Sequence, residues 1–320
     1  MKSELVSKIV EGDILAAARL MRGIDDELSD AVNELESVYL HTGQAYIVGM
    51  TGAPGVGKST LFGSLINVFR KKNMTIGIIA IDPTSPFTGG ALLGDRIRMQ
   101  SHGIDKDVFI RSLATRGWKG GLSKATINTI HVMDAMGKDI IFVEVVGSGQ
   151  ADVDVGKVAD TSIVVLTPGM GDTVQMMKAG ILEIADIFVI NKADRDGSEE
   201  LRTALEIMVE MKTRPAGDWK PSIVLTEAVH DRGIEQLAEE ILRHRESLTS
   251  SGEIENRRKG RAELELTMAI ENHIKNHIEK IDKNYLEKLV DDLVQRKTNP
   301  YSAALKIINP STDCLISPEE

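Results

Sequence analysis

The stretch Ala45-Tyr-Ile-Val-Gly-Met50-Thr-Gly52-Ala53-Pro54-Gly55-Val56-Gly57-Lys58-Ser59-Thr60 decides the fold. Its first six residues are a short apolar run of the kind that forms a buried strand. Its second half is G-x-x-x-x-G-K-[ST], and Leu61, Leu65, Ile66, Val68 and Phe69 then recur at helical spacing. Strand, glycine-rich loop and helix in that order are the context in which this pattern cradles phosphates. Glycines let the backbone wrap an anion closely with N–H groups pointing inward, and the helix adds its N-terminal partial charge. In this reading Lys58 reaches the β- and γ-phosphates and the Ser59 hydroxyl is a Mg²⁺ ligand.

Outward from that loop the same rhythm repeats. Ile76–Ile81, Ile140–Val146, Ser162–Leu166, Ile187–Ile190 and Ser222–Leu225 are short, β-branched runs, most of them separated by segments long enough for helices. Continuous apolar strands alternating with helices predict an α/β fold, with a central, mostly parallel sheet flanked by helices. Functional groups in such sheets lie beyond the C-terminal ends of the strands. Residues 1–43 read as an N-terminal helical extension, with stripes at Ile14, Leu15, Ala18, Leu20, Met21 and at Ala31, Leu35, Val38; Gly12-Asp13 reads as a helix start and Gly23 as a break. Residues 44–246 form the nucleotide domain. Residues 247–320 form a C-terminal helical region with apolar stripes at Leu266, Ile270, Ile274, Ile278, Ile281 and at Leu286, Leu289, Val290, Leu293. In that region His273 and His277 stand four apart, and read as histidines bordering an amphipathic stripe rather than as metal ligands.

The strand at Ile187–Ile190 ends in Asn191-Lys192-Ala193-Asp194. A carboxylate there accepts from both N1–H and the exocyclic amine of guanine, a donor pair that adenine lacks. Lys192 would lay its aliphatic stem along the base plane, and Asn191 would tie loops together. Thr226-Glu227-Ala228 after the next strand fits either a last guanine-contacting loop, whose N–H groups meet O6, or a generic loop.

Two more strands end in acids, Asp82 and Glu144. Mg²⁺ takes few carboxylates plus waters and phosphates, so two acids beside Ser59 suffice. Gly147, three residues after Glu144, is placed to meet the γ-phosphate through its N–H. The glycine-rich stretch from Thr84 to Arg96 reads as a mobile loop; within it Asp95 is either a metal-side acid or a surface acid. Arg111 and Arg116 are either phosphate or partner contacts, or surface arginines. Gln150 is too far from Gly147 to be assigned the hydrolytic role, so slow intrinsic turnover is expected.

Composition bounds the partners. The net charge is −10 with 38 basic and 48 acidic residues, which argues against a nucleic-acid surface. No apolar run approaches a membrane span, and Met1–Leu28 carries charges throughout, with no signal-peptide core. The single cysteine, Cys314, excludes an internal disulfide and fits a reducing, cytoplasmic setting.

Gly52–Leu61, Asp82-Pro-Thr-Ser-Pro-Phe-Thr-Gly-Gly90 with Leu93-Gly-Asp95, Val143–Gly147 with Gly149-Gln150, Gly180–Asp186 and Asn191–Asp194 carry a resemblance. On these residues the chain resembles the MeaB/ArgK family of P-loop GTPases. The resemblance implies a GTPase turning GTP into GDP and phosphate. It further implies a nucleotide-switched chaperone that gates adenosylcobalamin delivery to methylmalonyl-CoA mutase or a related acyl-CoA mutase, and protects that mutase. By the same resemblance Asp82, Asp95 and Glu144 are the Mg²⁺-side acids, residues 171–178 form a further switch facing the mutase, and the C-terminal helices are a dimerisation arm making a homodimer. The chain departs from the family pattern at Thr173-Val174, at Arg116-Gly-Trp118-Lys119 and at Asp152. Two alternatives stand beside this reading. One is a kinase or ATPase linked to lysine/arginine/ornithine transport, which Asp194 disfavours. The other is a nickel-insertion GTPase, for which scattered histidines offer no tract.

Overall fold

A computed structural model describes residues 3–26, 28–82, 105–114, 124–145, 150–169, 183–213, 215 and 217–308, with side chains at 29, 82, 114 and 150–153 excepted. The chain forms two units, Met1–Arg261 and Ala262–Glu320. Among the described residues of the first unit, seven strands make one sheet: β1 (Tyr46–Thr51), β2 (Ile76–Asp82), β3 (Val108–Ala114), β4 (Ile140–Val145), β5 (Thr161–Leu166), β6 (Ile187–Asn191) and β7 (Ser222–Thr226). Their order is β3-β2-β4-β1-β5-β6-β7, and every pairing is parallel. Among the described residues the sheet is parallel throughout, in agreement with the expected parallel sheet. β1, β4, β5 and β6 are buried along their whole length, as expected when helices cover both faces.

β3 is the one strand among these that the apolar runs do not announce. Arg111 interrupts it, and the sequence reading left that residue as a surface arginine or an anion contact. The structure pairs Arg111 with Asp25 on the N-terminal extension, both largely buried. The partner lies 86 residues away in the chain, so no local pattern reveals it.

Alternate residues of each strand face opposite layers. Val48, Met50, Ile78, Phe142, Val165 and Val189 pack with Leu61, Phe62, Leu65 and Phe69 of α4 (Lys58–Lys71) and with Leu237 and Ile241 of α8 (Ile234–Ser251). Phe142 meets Phe62 and Phe69 with ring centroids 5.3 and 5.7 Å apart, in edge and tilted geometries. On the far side of the sheet Val164, Leu166, Phe188 and Ile190 meet Leu205 and Val209 of α7 (Ser198–Met211). The described residues of this layer also include α5 (Lys124–Ala135) and α6 (Gln150–Val158).

The extension is three helices, α1 (Glu4–Val10), α2 (Ile14–Asp25) and α3 (Ser29–Tyr39). Asp13 caps α2 by accepting from Leu15 and Ala16 N–H, as its position after Gly12 predicts. Gly23 is not a break: α2 runs through it, and a Cβ there would lie 3.0 Å from the Ala31 Cβ, so its small size lets α3 close in. Ile14 and Leu15 also depart from the expected stripe, being 36% and 81% exposed, while Ala16, Ala17, Leu20 and Met21 are buried. The extension then enters β1 through a buried carboxylate. Asp134 on α5 accepts from the N–H groups of Gly43, Gln44 and Ala45.

The N-terminal edge of the sheet carries a second polar cluster. Asp160, just before β5, accepts from Ile47 N–H and pairs with Arg261; Asp186, just before β6, accepts from Ser162 N–H and pairs with both forks of Arg257. Both arginines belong to α9 (Glu253–Glu279), which the sequence reading assigned to the C-terminal region. His244 on α8 is fully buried there, bonded through Nδ1 to Thr161, with Nε2 3.5 Å from Asp186. Trp219 donates its indole N–H to the Asp186 carbonyl, anchoring the segment before β7.

The second unit comprises the rest of α9, α10 (Lys283–Val294) and α11 (Pro300–Ile308) among its described residues. Leu289 and Ala303 are buried, whereas Leu266, Ile270, Ile274, Ile278, Val290, Val294, Tyr301 and Leu305 are exposed. No described helix is long and apolar enough to cross a membrane.

Candidate functional site

β1 hands its backbone directly to the glycine-rich loop. Gly57 is the N-cap of α4 at φ 101, in the left-handed region, and a Cβ there would lie 2.3 Å from Asn191 Nδ2. Only glycine fits that conformation and that approach without strain. The loop thus turns the first N–H groups of α4 toward the end of the sheet, where an anion gains both hydrogen bonds and the helix dipole. Lys58 is buried, and its Nζ donates to the carbonyls of Gly52 at 2.7 Å and Ala53 at 3.2 Å, folding it back over the loop. Val56 is fully buried beneath the loop; Pro54 and Gly55 are at the surface.

Ser59, one residue into α4, donates its hydroxyl to Glu144 Oε1 at 3.0 Å. Glu144 is on β4, paired in register with Met50 of β1, and is buried. A hydroxyl and a carboxylate brought together at the end of adjacent strands are hard oxygen donors. That chemistry suits Mg²⁺ held partly by phosphate oxygens, and not a soft transition metal. Groups of three or more His, Cys, Asp or Glu able to hold a metal are absent among the described residues. His273 and His277 are exposed on α9.

Asn191 closes β6 and is the junction of the site. Its Nδ2 donates to the Val56 carbonyl at 2.7 Å, while its Oδ1 accepts from Thr226 Oγ1 and from Ala228 N–H, each at 3.1 Å. One side chain therefore joins the phosphate loop, the end of β6 and the loop after β7, the tying role its position suggested. Lys192, at φ 58, donates through Nζ to the Gly55 carbonyl at 2.7 Å. Asp194 is exposed at the same edge. The Thr226–Ala228 loop follows β7, the strand beside β6, and two of its N–H groups are engaged within the protein. Glu227 donates to the Arg232 carbonyl and Ala228 to Asn191.

Ser64 and Asp231 were not singled out by any motif, yet they touch this loop; a polar residue on the loop-facing side of the phosphate helix was the only signal available. Asp82 closes β2, with its side chain outside the described residues. Asp95, Gly147, Arg116, Trp118 and residues 171–178 also lie outside them, as do the side chains of Gln150 and Asp152.

The comparisons with known proteins agree with this geometry. Residues 18–283 match the family model for the methylmalonyl-CoA mutase-associated GTPase MeaB. A Pyrococcus abyssi protein named as a GTPase is 48% identical over 96% of both chains. GTPase ArgK of Escherichia coli is 31% identical over 80% of this chain and 79% of its own. A crystal structure of a LAO/AO transport system kinase superposes with TM-score 0.70 at 22% identity, covering 95% of each chain, and so shares the fold. With a wholly parallel sheet, a glycine loop at its centre and an asparagine bridging that loop to the next, the chain belongs to the MeaB family of methylmalonyl-CoA mutase-associated GTPases, and is a GTPase.

Proposed function

We propose that this GTPase binds GTP and GDP with Mg²⁺ at the β1–α4 loop and acts as a nucleotide-switched chaperone for an adenosylcobalamin-dependent acyl-CoA mutase, methylmalonyl-CoA mutase or a relative. The observation that carries the nucleotide reading is the Asn191 side chain, bonded at once to Val56 of the phosphate loop and to Thr226 and Ala228. It supports a single cleft with a phosphate end and a base end.

At the phosphate end the backbone from Gly52 to Thr60 surrounds the anion. Lys58 exchanges its carbonyl partners for β- and γ-phosphate oxygens and offsets the charge that develops between them. Gly147 offers its N–H to the γ-phosphate. Ser59 and Glu144 would hold Mg²⁺, with Asp82 and Asp95 as further acids; the ion would neutralise phosphate oxygens. At the base end Asp194 accepts from N1–H and the 2-amine of guanine, and the Lys192 stem lies along the ring. Thr226, Glu227 and Ala228 frame the base from the other side. Intrinsic turnover is slow, and a group from the partner or from a moving loop accelerates it.

The family to which the chain belongs supports the mutase as partner. The exposed stripe Leu266, Ile270, Ile274 and Ile278 supports a homodimer joined through the arm. Phosphate release from GTP, measured with and without purified methylmalonyl-CoA mutase, tests the first point. An acceleration of tenfold or more is expected, and an unchanged rate at saturating mutase would count against the partnership. Truncation after Arg261 tests the second: monomers are expected on sizing, and a persistent dimer would exclude the arm.

A further inference from the structure

The loop after β7 is closed on itself. Glu227 N–H donates to the Arg232 carbonyl at 3.0 Å, Arg232 N–H returns a bond to the Glu227 carbonyl at 3.3 Å, and their side chains pair at 2.9 Å. Asp231 stands at φ 55 and Gly233 at φ 74; a Cβ on Gly233 would lie 2.1 Å from the Leu225 carbonyl oxygen. A turn so constrained holds one shape and moves as a unit.

What sets its position is the phosphate helix. Ser64 Oγ donates to Asp231 Oδ1 at 2.5 Å and lies 3.4 Å from the Ala228 carbonyl oxygen. The turn is thereby held at Asp231 by Ser64, and at Ala228 N–H by Asn191. Ser64 lies roughly one and a half turns along α4 from Lys58 and Ser59. The helix that presents those two residues to the phosphates therefore also grips the loop at the base end.

We infer that Ser64 and Asp231 are positioning residues for the guanine base, setting the 226–228 loop at the distance from Asn191–Asp194 that a guanine requires. The inference rests on the base-site reading above. It adds that base selectivity depends on a hydroxyl carried by the phosphate helix. Both side chains are partly open to water, so the net worth of the tie is that of an ordinary hydrogen bond, about fivefold in affinity.

Calorimetric affinities for GDP, ADP and inorganic tripolyphosphate, in Mg²⁺, test it. Ser64→Ala is expected to lower GDP affinity and the GDP/ADP ratio about fivefold together, leaving tripolyphosphate binding unchanged, and Asp231→Ala to do the same. Ser64→Thr keeps the hydroxyl and restores the ratio. Asp231→Asn keeps an acceptor and a residue tolerant of left-handed backbone, and also restores it. A wild-type GDP/ADP ratio in Ser64→Ala, or a parallel loss of tripolyphosphate binding, would overturn the inference. Melting curves accompany each variant, and Asp231→Ala, on the surface, supplies the reading if Ser64→Ala fails to fold. A wild-type protein that does not prefer GDP to ADP would overturn the base site itself, and is seen before any variant is made.

Discussion

The two edges of the sheet handle charge in opposite ways. At the C-terminal edge, the lysines of the two loop motifs donate to carbonyls: Lys58 to those of Gly52 and Ala53, Lys192 to that of Gly55. At the N-terminal edge, buried carboxylates are matched to guanidinium groups: Asp186 to Arg257 and Asp160 to Arg261. A carbonyl acceptor is surrendered cheaply to a phosphate oxygen. A buried carboxylate stripped of its arginine has no comparable substitute. The first arrangement suits a site that must exchange ligands; the second suits a permanent joint between the sheet and the start of α9.

The contrast breaks most sharply at Lys58. Lys58→Ala is expected to reduce turnover about a thousandfold or more, with little change in melting temperature. Unchanged steady-state GTP hydrolysis would remove Lys58 from the phosphate end. Next in size, Asp194→Asn should exchange guanine for xanthine preference by about a hundredfold, because its amide offers a donor where the carboxylate offered an acceptor. Competition between GDP and XDP measures this, and a retained preference for GDP would refute the base assignment.

At the opposite edge the effects should appear in stability. Arg257→Ala leaves Asp186 buried with one partner fewer and is expected to cost about 3 kcal/mol in denaturant unfolding. GDP affinity of the folded fraction should stay within about twofold, a ratio that sharpens the division between the edges. Smaller and pH-dependent is the contribution of His244. Burial lowers its pKa from 6.5 to about 4 in the folded protein, partly opposed by Asp186. Between those values the unfolded chain binds the proton more readily. Stability is therefore full above about pH 6.5 and falls as pH drops, and the loss is complete below about pH 4. It amounts to about 3 kcal/mol at most. Urea melts of wild type and His244→Gln across that window should converge at low pH; parallel curves would remove His244 as the cause.

How far the residues alone reach differs along the chain. The six apolar runs each became a strand within a residue or so of their expected bounds, because a strand buried on both faces must be apolar throughout. β3 escaped because its burial is paid through Arg111 and a distant Asp25. Gly23 misled for a related reason: a glycine that permits helix approach and a glycine that ends a helix look alike until the neighbour, Ala31, is in place. At the site, Lys58 and Ser59 open α4, and Glu144 and Asn191 sit at strand ends, all positions that short motifs specify. The engagement of Glu227 and Ala228 N–H within the loop was not legible, since it depends on Arg232 and Asn191 meeting them in space.

By itself the chain determined its layer architecture, its glycine-rich phosphate loop and the strand-end position of Asn191–Asp194, since each depends on residues adjacent in sequence or on a simple period. Tertiary structure alone decided which side chains complete one another: Ser59 with Glu144, Ser64 with Asp231, Asp186 with Arg257. Those pairs join residues dozens to well over a hundred positions apart, and hydrogen bonds and charges act over ångströms, so only the folded arrangement of strands and helices selects them.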